Sequence, residues 1–377
     1  MRRNDMTSKR KTATNSSNMN FRPAGYDPQR QDTKGTRPTA NPTTVREVLL
    51  QMLIFLCKKV IFFDVNLKVA LYLGSLFLVS LIGDFAPYPK TYFARSDNIF
   101  NVYFVKWGWA WTLVLSVPYL VLTSCILCVG NREKLIREHL PRILIATFFW
   151  FFWTKVFNLV ETMYGRCNVK NFDSKIACLK GGHFWNGFDI SGHAFILIYS
   201  SLVLIEEAKP IIGWENIKEH LRNEEHNRLT REESSVNPLR NLDDDELQNV
   251  KSLYEKYTPV IRVLFISMTA LQLLWDVMLV CTMLYYHKMI EKVLSGIFAI
   301  LTWFFTYRAW YPANSLLPNC AGHGKFIYQK TKIQPAVPFR KQSLNYNNAG
   351  SSTGQSNNTP KFMGMPIYPQ KTTTATE

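Results

Sequence analysis

Phe184-Trp185-Asn186-Gly187-Phe188-Asp189-Ile190-Ser191-Gly192-His193 runs without a break into the apolar segment 194–205. A carboxylate, a hydroxyl, a glycine and an imidazole thus stand at the mouth of a hydrophobic helix, where polar side chains are expensive unless they are used or paired. The stretch sets two expectations: a membrane-spanning helix enters at about Gly187, and its mouth is a candidate site.

Outward from this stretch the apolar residues, 47% of the chain, are gathered in long blocks rather than in amphipathic segments. That pattern predicts an all-α, polytopic membrane helix bundle. The bilayer core of about 30 Å needs about twenty apolar residues per crossing. Spans are expected at 65–85, 107–129, 143–160, 187–205, 259–286 and 289–310, six in all. Segment 45–63 is apolar but carries Lys58-Lys59 and is followed by Asp64, which favours a helix lying in the interface over a crossing. Residues 1–45 and 313–377 have compositions too polar to repay ordering and read as disordered tails, leaving 46–312 as the transmembrane catalytic domain. Within it, 208–258 is highly charged and reads as a solvated loop with room for short helices. No apolar h-region occurs in the first forty residues, so insertion is expected through an internal helix.

The net charge of +16 resides mainly in tails and loops, which points to loop orientation and away from nucleic-acid binding. Six spans put both tails on one side. Arg132, Lys134, Arg137 and Arg142 crowd the short 130–142 turn on that same side, so the tails are expected to be cytosolic. His193 and His287, distant in sequence, then reach one lumenal layer. Asp189 precedes His193 by four residues and Glu291 follows His287 by four, so each imidazole gains a carboxylate within one turn if those segments are helical. Asp276, an intramembrane acid, returns to nearly the face of His287 and either joins the site or tethers helices. Ser191-Gly192 suits a helix N-cap.

Lys155, Asn158 and Glu161 share a helical face, as an interhelical cluster or as lining of the site. His139, His183, His220, His226 and His323 read as interfacial polar residues. Cys125 and Cys128 form a single CxxC inside an apolar run, which favours a packed helix over a metal site. Cys167 and Cys178 face an oxidising lumen on this topology, and a disulfide there would contribute about 2–3 kcal/mol.

A helix N-terminus favours phosphate. One imidazole can attack phosphorus and the other can protonate the leaving oxygen. The residues therefore suit cleavage of a phosphate ester or diphosphate without metal or other cofactor. Arg166, Lys170, Lys175 and Lys180 in the neighbouring loop are available to further phosphates. An inter-histidine distance of about 4–7 Å beside an open pocket is what such chemistry asks for.

The FWNGFDISGH run at 184–193, with the Trp275-Asp276…Tyr285-Tyr286-His287-Lys288 element and the six-span layout, resembles the fat storage-inducing transmembrane family of the endoplasmic reticulum, over about residues 65–312. That family is related to lipid phosphate phosphatases. Ser191-Gly192-His193 matches their Ser-Gly-His motif in full. His287 with Glu291 matches only the end of their third motif, because Val280 and Cys281 stand where Ser-Arg would be, and their first motif is not found. The resemblance implies cleavage of the diphosphate of fatty acyl-CoA, to acyl 4'-phosphopantetheine and adenosine 3',5'-bisphosphate, in support of lipid-droplet formation. It implies His287 as nucleophile, forming a phosphohistidine, and His193 as general acid. Membrane lipids are expected partners. A competing, non-enzymatic reading is a membrane protein that binds triacylglycerol or diacylglycerol and partitions it into nascent droplets, and a third is a scaffold whose cytosolic loop and tails recruit partner proteins.

Overall fold

The computed structural model describes residues 44–329, apart from 87, 90, 96, 170–173, 231–236 and 314–317, together with 361–362 and 365–366. The two tails expected to be disordered lie for the most part outside these residues. The chain forms two units. In the second, from Thr331, the described residues are one antiparallel pairing of Lys361–Phe362 with Met365–Pro366.

The first unit is an all-α bundle. In chain order it contains α1 (Val45–Ile61), α2 (Val65–Phe85), α3 (Gly108–Leu127), the single turn α4 (Arg132–Lys134), α5 (Leu140–Met163), α6 (Lys175–Lys180), α7 (Gly192–Glu207), α8 (Asn216–Thr230), α9 (Asp244–Tyr285) and α10 (Met289–Trp303). Wider π-type turns at Leu135–His139 and Phe304–Trp310 extend α5 backwards and α10 forwards. Among the described residues five helices are long and apolar enough to cross a membrane: Val65–Phe85, Gly108–Leu127, Arg132–Met163, Asp244–Tyr285 and Met289–Trp310. Leu71, Phe77, Phe148, Phe152, Val277 and Phe304 are among the large apolar side chains they expose, the pattern of a lipid-facing surface.

The expected fourth span, α7, is only 16 residues and is enclosed by the others; from Ala194 to Glu207 every residue is buried. Its start is Gly192 rather than Gly187. Residues 184–191 form an extended strap instead: Trp185–Asn186 pairs antiparallel with Arg166–Cys167, and the Trp185 indole N–H donates to the Glu161 carbonyl at the end of α5 (3.1 Å). A Cβ on Gly187 would come within 2.7 Å of that carbonyl, so the strap lies this close only because 187 is glycine. The helix begins where Ser191 Oγ accepts the Ala194 N–H (3.2 Å), as the N-cap expectation requires.

Two regions are better ordered than their composition suggests. The 208–258 segment is no solvated loop: α8 and the first half of α9 pack around Trp214, which is fully buried, stacks on Tyr254 (5.9 Å) and donates to Thr258 Oγ1 (3.2 Å). Apart from the buried Glu224, which pairs with Arg228 (3.1 Å), their charges lie on the outer faces. A capping box of Asp243 and Glu246 starts α9, which continues through Pro259 for 42 residues, about 63 Å. It is about twice as long as a bilayer core is thick. Residues 318–329, placed by composition in the tail, also pack: Phe326 and Tyr328 are buried, Tyr328 donates to the Pro210 carbonyl (2.7 Å) and Lys325 N–H to that of Leu127 (2.9 Å).

At this end of the bundle Arg142 and Glu207, both buried, form a two-pronged ion pair with both bonds at 3.0 Å, and Tyr307 donates to the same carboxylate (2.9 Å). His139, expected at an interface, is instead fully buried beside Arg142 (3.1 Å) and Cys128 (3.5 Å). Cys125 and Cys128 are free and end α3, as a packed helix requires.

Candidate functional site

At the opposite end of α7 the two histidines meet. Ser191 is wholly buried and stitches α7 to α10: its N–H donates to the Glu291 carbonyl (3.3 Å), and its own carbonyl accepts from Ser295 Oγ (2.6 Å). This seam places His193, in the first turn of α7, next to His287, in the two-helix corner between α9 and α10. Their ring centroids are 6.3 Å apart, with planes inclined by 46°.

Both carboxylates converge on His287. Its Nδ1 lies 3.5 Å from Asp189 Oδ2 and 3.7 Å from Glu291 Oε2. Asp189 does not share a helical turn with His193, because 187–191 is extended; the strap carries it across to the other imidazole. Glu291 keeps its expected place four residues after His287 and is itself fixed by the Lys288 N–H (3.0 Å). Two carboxylates beside Nδ1 favour the tautomer that carries its proton there, with the lone pair on Nε2. His287 also has φ +57°, the left-handed region that a non-glycine residue seldom occupies. Burial pushes the Asp189 carboxyl above the usual aspartate value, against the lowering pull of His287.

His193 has other partners. Its Nε2 lies 2.9 Å from Asn101 Oδ1, and its ring stacks on Tyr286 at 6.0 Å with planes 3° apart. Tyr286 is tied in turn to the connection between α2 and α3, donating to the carbonyls of Phe93 (3.0 Å) and Arg95 (2.8 Å). Beside His287 opens a cavity of about 770 Å³, lined also by Asp84, Thr91, Arg95, Tyr285 and Lys292. Gly192 is exposed, and a Cβ added there would meet nothing within 4 Å, so the mouth of α7 is open space.

Other candidates lie elsewhere. Asp276 is held by Lys68 Nζ (3.1 Å), Tyr72 OH (2.5 Å) and Gln272 (3.1 Å); it tethers α9 to α2 and does not reach the histidines. Lys155 and Asn158 are exposed, Lys155 over the Phe151 ring, so these two neither join helices nor line the site. Glu161 pairs with Lys175 (2.5 Å). Arg166 and Lys180 are exposed and do not line the cavity, and Lys170 lies outside the described residues. Cys167 and Cys178 form the expected disulfide, with Cα atoms 5.9 Å apart, in the loop that leads into the strap.

Asp84, Arg95, Asn101 and Tyr286 were not reached from the sequence. Tyr286 adjoins His287 in a motif already singled out, and Asp84 is an acid at the end of an apolar block; both signals were present. Nothing in the pattern around Arg95 or Asn101 marks them, because their partners are separated from them by some ninety residues or more.

A bundle of membrane-length helices that buries a shorter central helix and gathers two carboxylate- and amide-supported imidazoles at one end is a multi-pass membrane protein with a histidine-pair site. The chain belongs to the fat storage-inducing transmembrane protein family, whose sequence profile matches residues 89–307. It is 58% identical over 375 residues to the acyl-coenzyme A diphosphatase FITM2 of Drosophila melanogaster, covering 94% of this chain and 88% of that one. It is 32% identical to the protein of the same name from Danio rerio (64% and 84% covered) and 29% identical to that from Homo sapiens (63% and 80%). No solved structure matches it.

Proposed function

We propose that this protein is a fatty acyl-CoA diphosphatase of the endoplasmic reticulum membrane, with its termini in the cytosol, its histidine pair facing the lumen, and a role in lipid balance and lipid-droplet formation. The observation that carries the chemistry is the 6.3 Å separation of the two rings, which leaves room for one phosphorus between them. His287 Nε2 attacks one phosphorus of the diphosphate while Asp189 and Glu291 stabilise the charge that develops on the ring. The bond from that phosphorus to the bridging oxygen breaks, and the bridging oxygen leaves with the other phosphate and a proton from His193. Water then attacks the phosphohistidine, giving a proton back to His193 as the P–N bond breaks. The sum is acyl-CoA plus water to acyl 4'-phosphopantetheine plus adenosine 3',5'-bisphosphate. The disulfide beside the strap supports a lumenal site, since disulfides persist in oxidising compartments.

The test is hydrolysis of oleoyl-CoA by purified protein, with both products identified by mass spectrometry. His193→Ala and His287→Ala should each abolish turnover while expression and membrane insertion stay intact. Wild-type turnover in both variants would sink the mechanism.

A further inference from the structure

A site for a diphosphate needs a cation, and the arginine of the related lipid phosphatases is absent from α9, where Val280 and Cys281 occupy its place. We propose that Arg95, from the connection between α2 and α3, supplies that charge and makes the 770 Å³ cavity beside His287 the pocket for the nucleotide half of acyl-CoA. This rests on the acyl-CoA reading above. The cavity is within the size range of small-molecule sites.

Three observations carry the assignment. The first is placement: Arg95 and His287 line one cavity. The second is anchoring. The Arg95 carbonyl accepts from Asn98 Nδ2 (2.7 Å) and from Tyr286 OH (2.8 Å), and Tyr286 is the ring that stacks on His193. The root of the arginine is therefore fixed to the histidine pair while its side chain is exposed. The third is charge. Lys292, the other cation of the cavity, already donates to the Met283 carbonyl (2.7 Å) and lies within electrostatic reach of Asp84. Asp84 in turn accepts the Met289 N–H (3.1 Å) at the start of α10. Among the described residues no carboxylate pairs with the Arg95 guanidinium. A guanidinium presents a planar fork of donors that matches phosphate oxygens two at a time. Tyr88 and Tyr92 line the same cavity, aromatic side chains of the kind on which an adenine stacks.

The experiment uses full-length protein in nanodiscs, the variants Arg95→Gln and Arg95→Lys, and adenosine 3',5'-bisphosphate as probe, in two arms. Calorimetry measures binding of the probe without any turnover, and steady-state kinetics with oleoyl-CoA measure KM, kcat and inhibition by the same probe. Arg95→Gln should weaken probe binding and raise KM by about tenfold or more, the value of one or two charge-assisted hydrogen bonds, with a smaller change in kcat. Arg95→Lys should recover part of the loss. Probe affinity in Arg95→Gln within about twofold of wild type overturns the proposal whatever happens to kcat, as does failure of the wild type to bind the probe. Arg95-dependent binding without hydrolysis of oleoyl-CoA would keep the pocket and reject the diphosphatase reading.

Discussion

The two ends of α7 carry comparable loads of buried polar groups and use them in opposite ways. At Glu207 the charges are closed: a two-pronged pair whose side chains are 2% and 1% exposed, with a tyrosine hydroxyl donating to the same carboxylate. At His193 they are open. The Asp189 side chain is 54% exposed, its contact with His287 is 3.5 Å, His287 sits in the left-handed region, and a cavity adjoins the ring. A closed buried pair specifies how helices register, and its removal leaves an orphaned charge. An open set of polar groups, held in a strained corner, is poorly optimised for stability and suited to a substrate that completes it.

The sharpest way to break this contrast is at His287. His287→Gly relieves a backbone conformation that glycine adopts freely, so thermal stability should stay level or rise by about 1 kcal/mol. Acyl-CoA hydrolysis should fall on the order of 10⁴-fold, the upper range for losing a group that moves or accepts bonds in the transition state. A variant that unfolds at lower temperature would show that the corner is structural after all.

The opposite end should respond the other way. Arg142→Met leaves Glu207 charged and buried, and unfolding in detergent should show a loss of about 3–5 kcal/mol, while activity per folded molecule is retained. Adding Glu207→Leu should return most of that loss, because an apolar pair of similar volume needs no partner. Between the two in character stands the disulfide: Cys167→Ala, opening a loop with sequence separation 11, should lower stability by about 3 kcal/mol, read from the same melts with and without reductant.

Much of the bundle was legible because a bilayer demands long apolar blocks, and their boundaries survive in α2, α3 and Met289–Trp310. Hydropathy could not tell that α7 is the enclosed helix, since lipid and neighbouring helices ask for the same side chains. The packed region around Trp214 was hidden by the charges on its outer faces, which dominate a composition count. In the site, Ser191 and Glu291 followed from local rules of capping and helical spacing, and His193 with His287 from the order of spans that brings both to one membrane layer. Asp189 was found but given to the wrong imidazole, because the i, i+4 rule applies only within a helix and Gly187 lets the strap lie extended against the end of α5. Asn101 and Arg95 belong to contacts that close only in three dimensions.

Asp189 offers the finest test of the contrast, because its two roles pull against each other. Its folded carboxyl value is raised by burial, so the folded state binds the proton more tightly than the unfolded chain. The sign follows: the contribution of Asp189 is most favourable below the unfolded aspartate value, about 3.9, and is lost as pH rises through the raised folded value. At neutral pH the ionised side chain therefore works against the fold. Asp189→Asn should leave melting at pH 7 unchanged or slightly higher, and should flatten the fall in stability that wild type shows as pH rises from about 4. The same change removes one of two carboxylates beside His287 Nδ1, with Glu291 remaining, so turnover should drop on the order of tenfold, the loss of about 1.4 kcal/mol of electrostatic support to the developing charge on the ring. A variant that is both less stable at pH 7 and fully active would invert both halves of the expectation, and would move Asp189 from the open end of the comparison to the closed one.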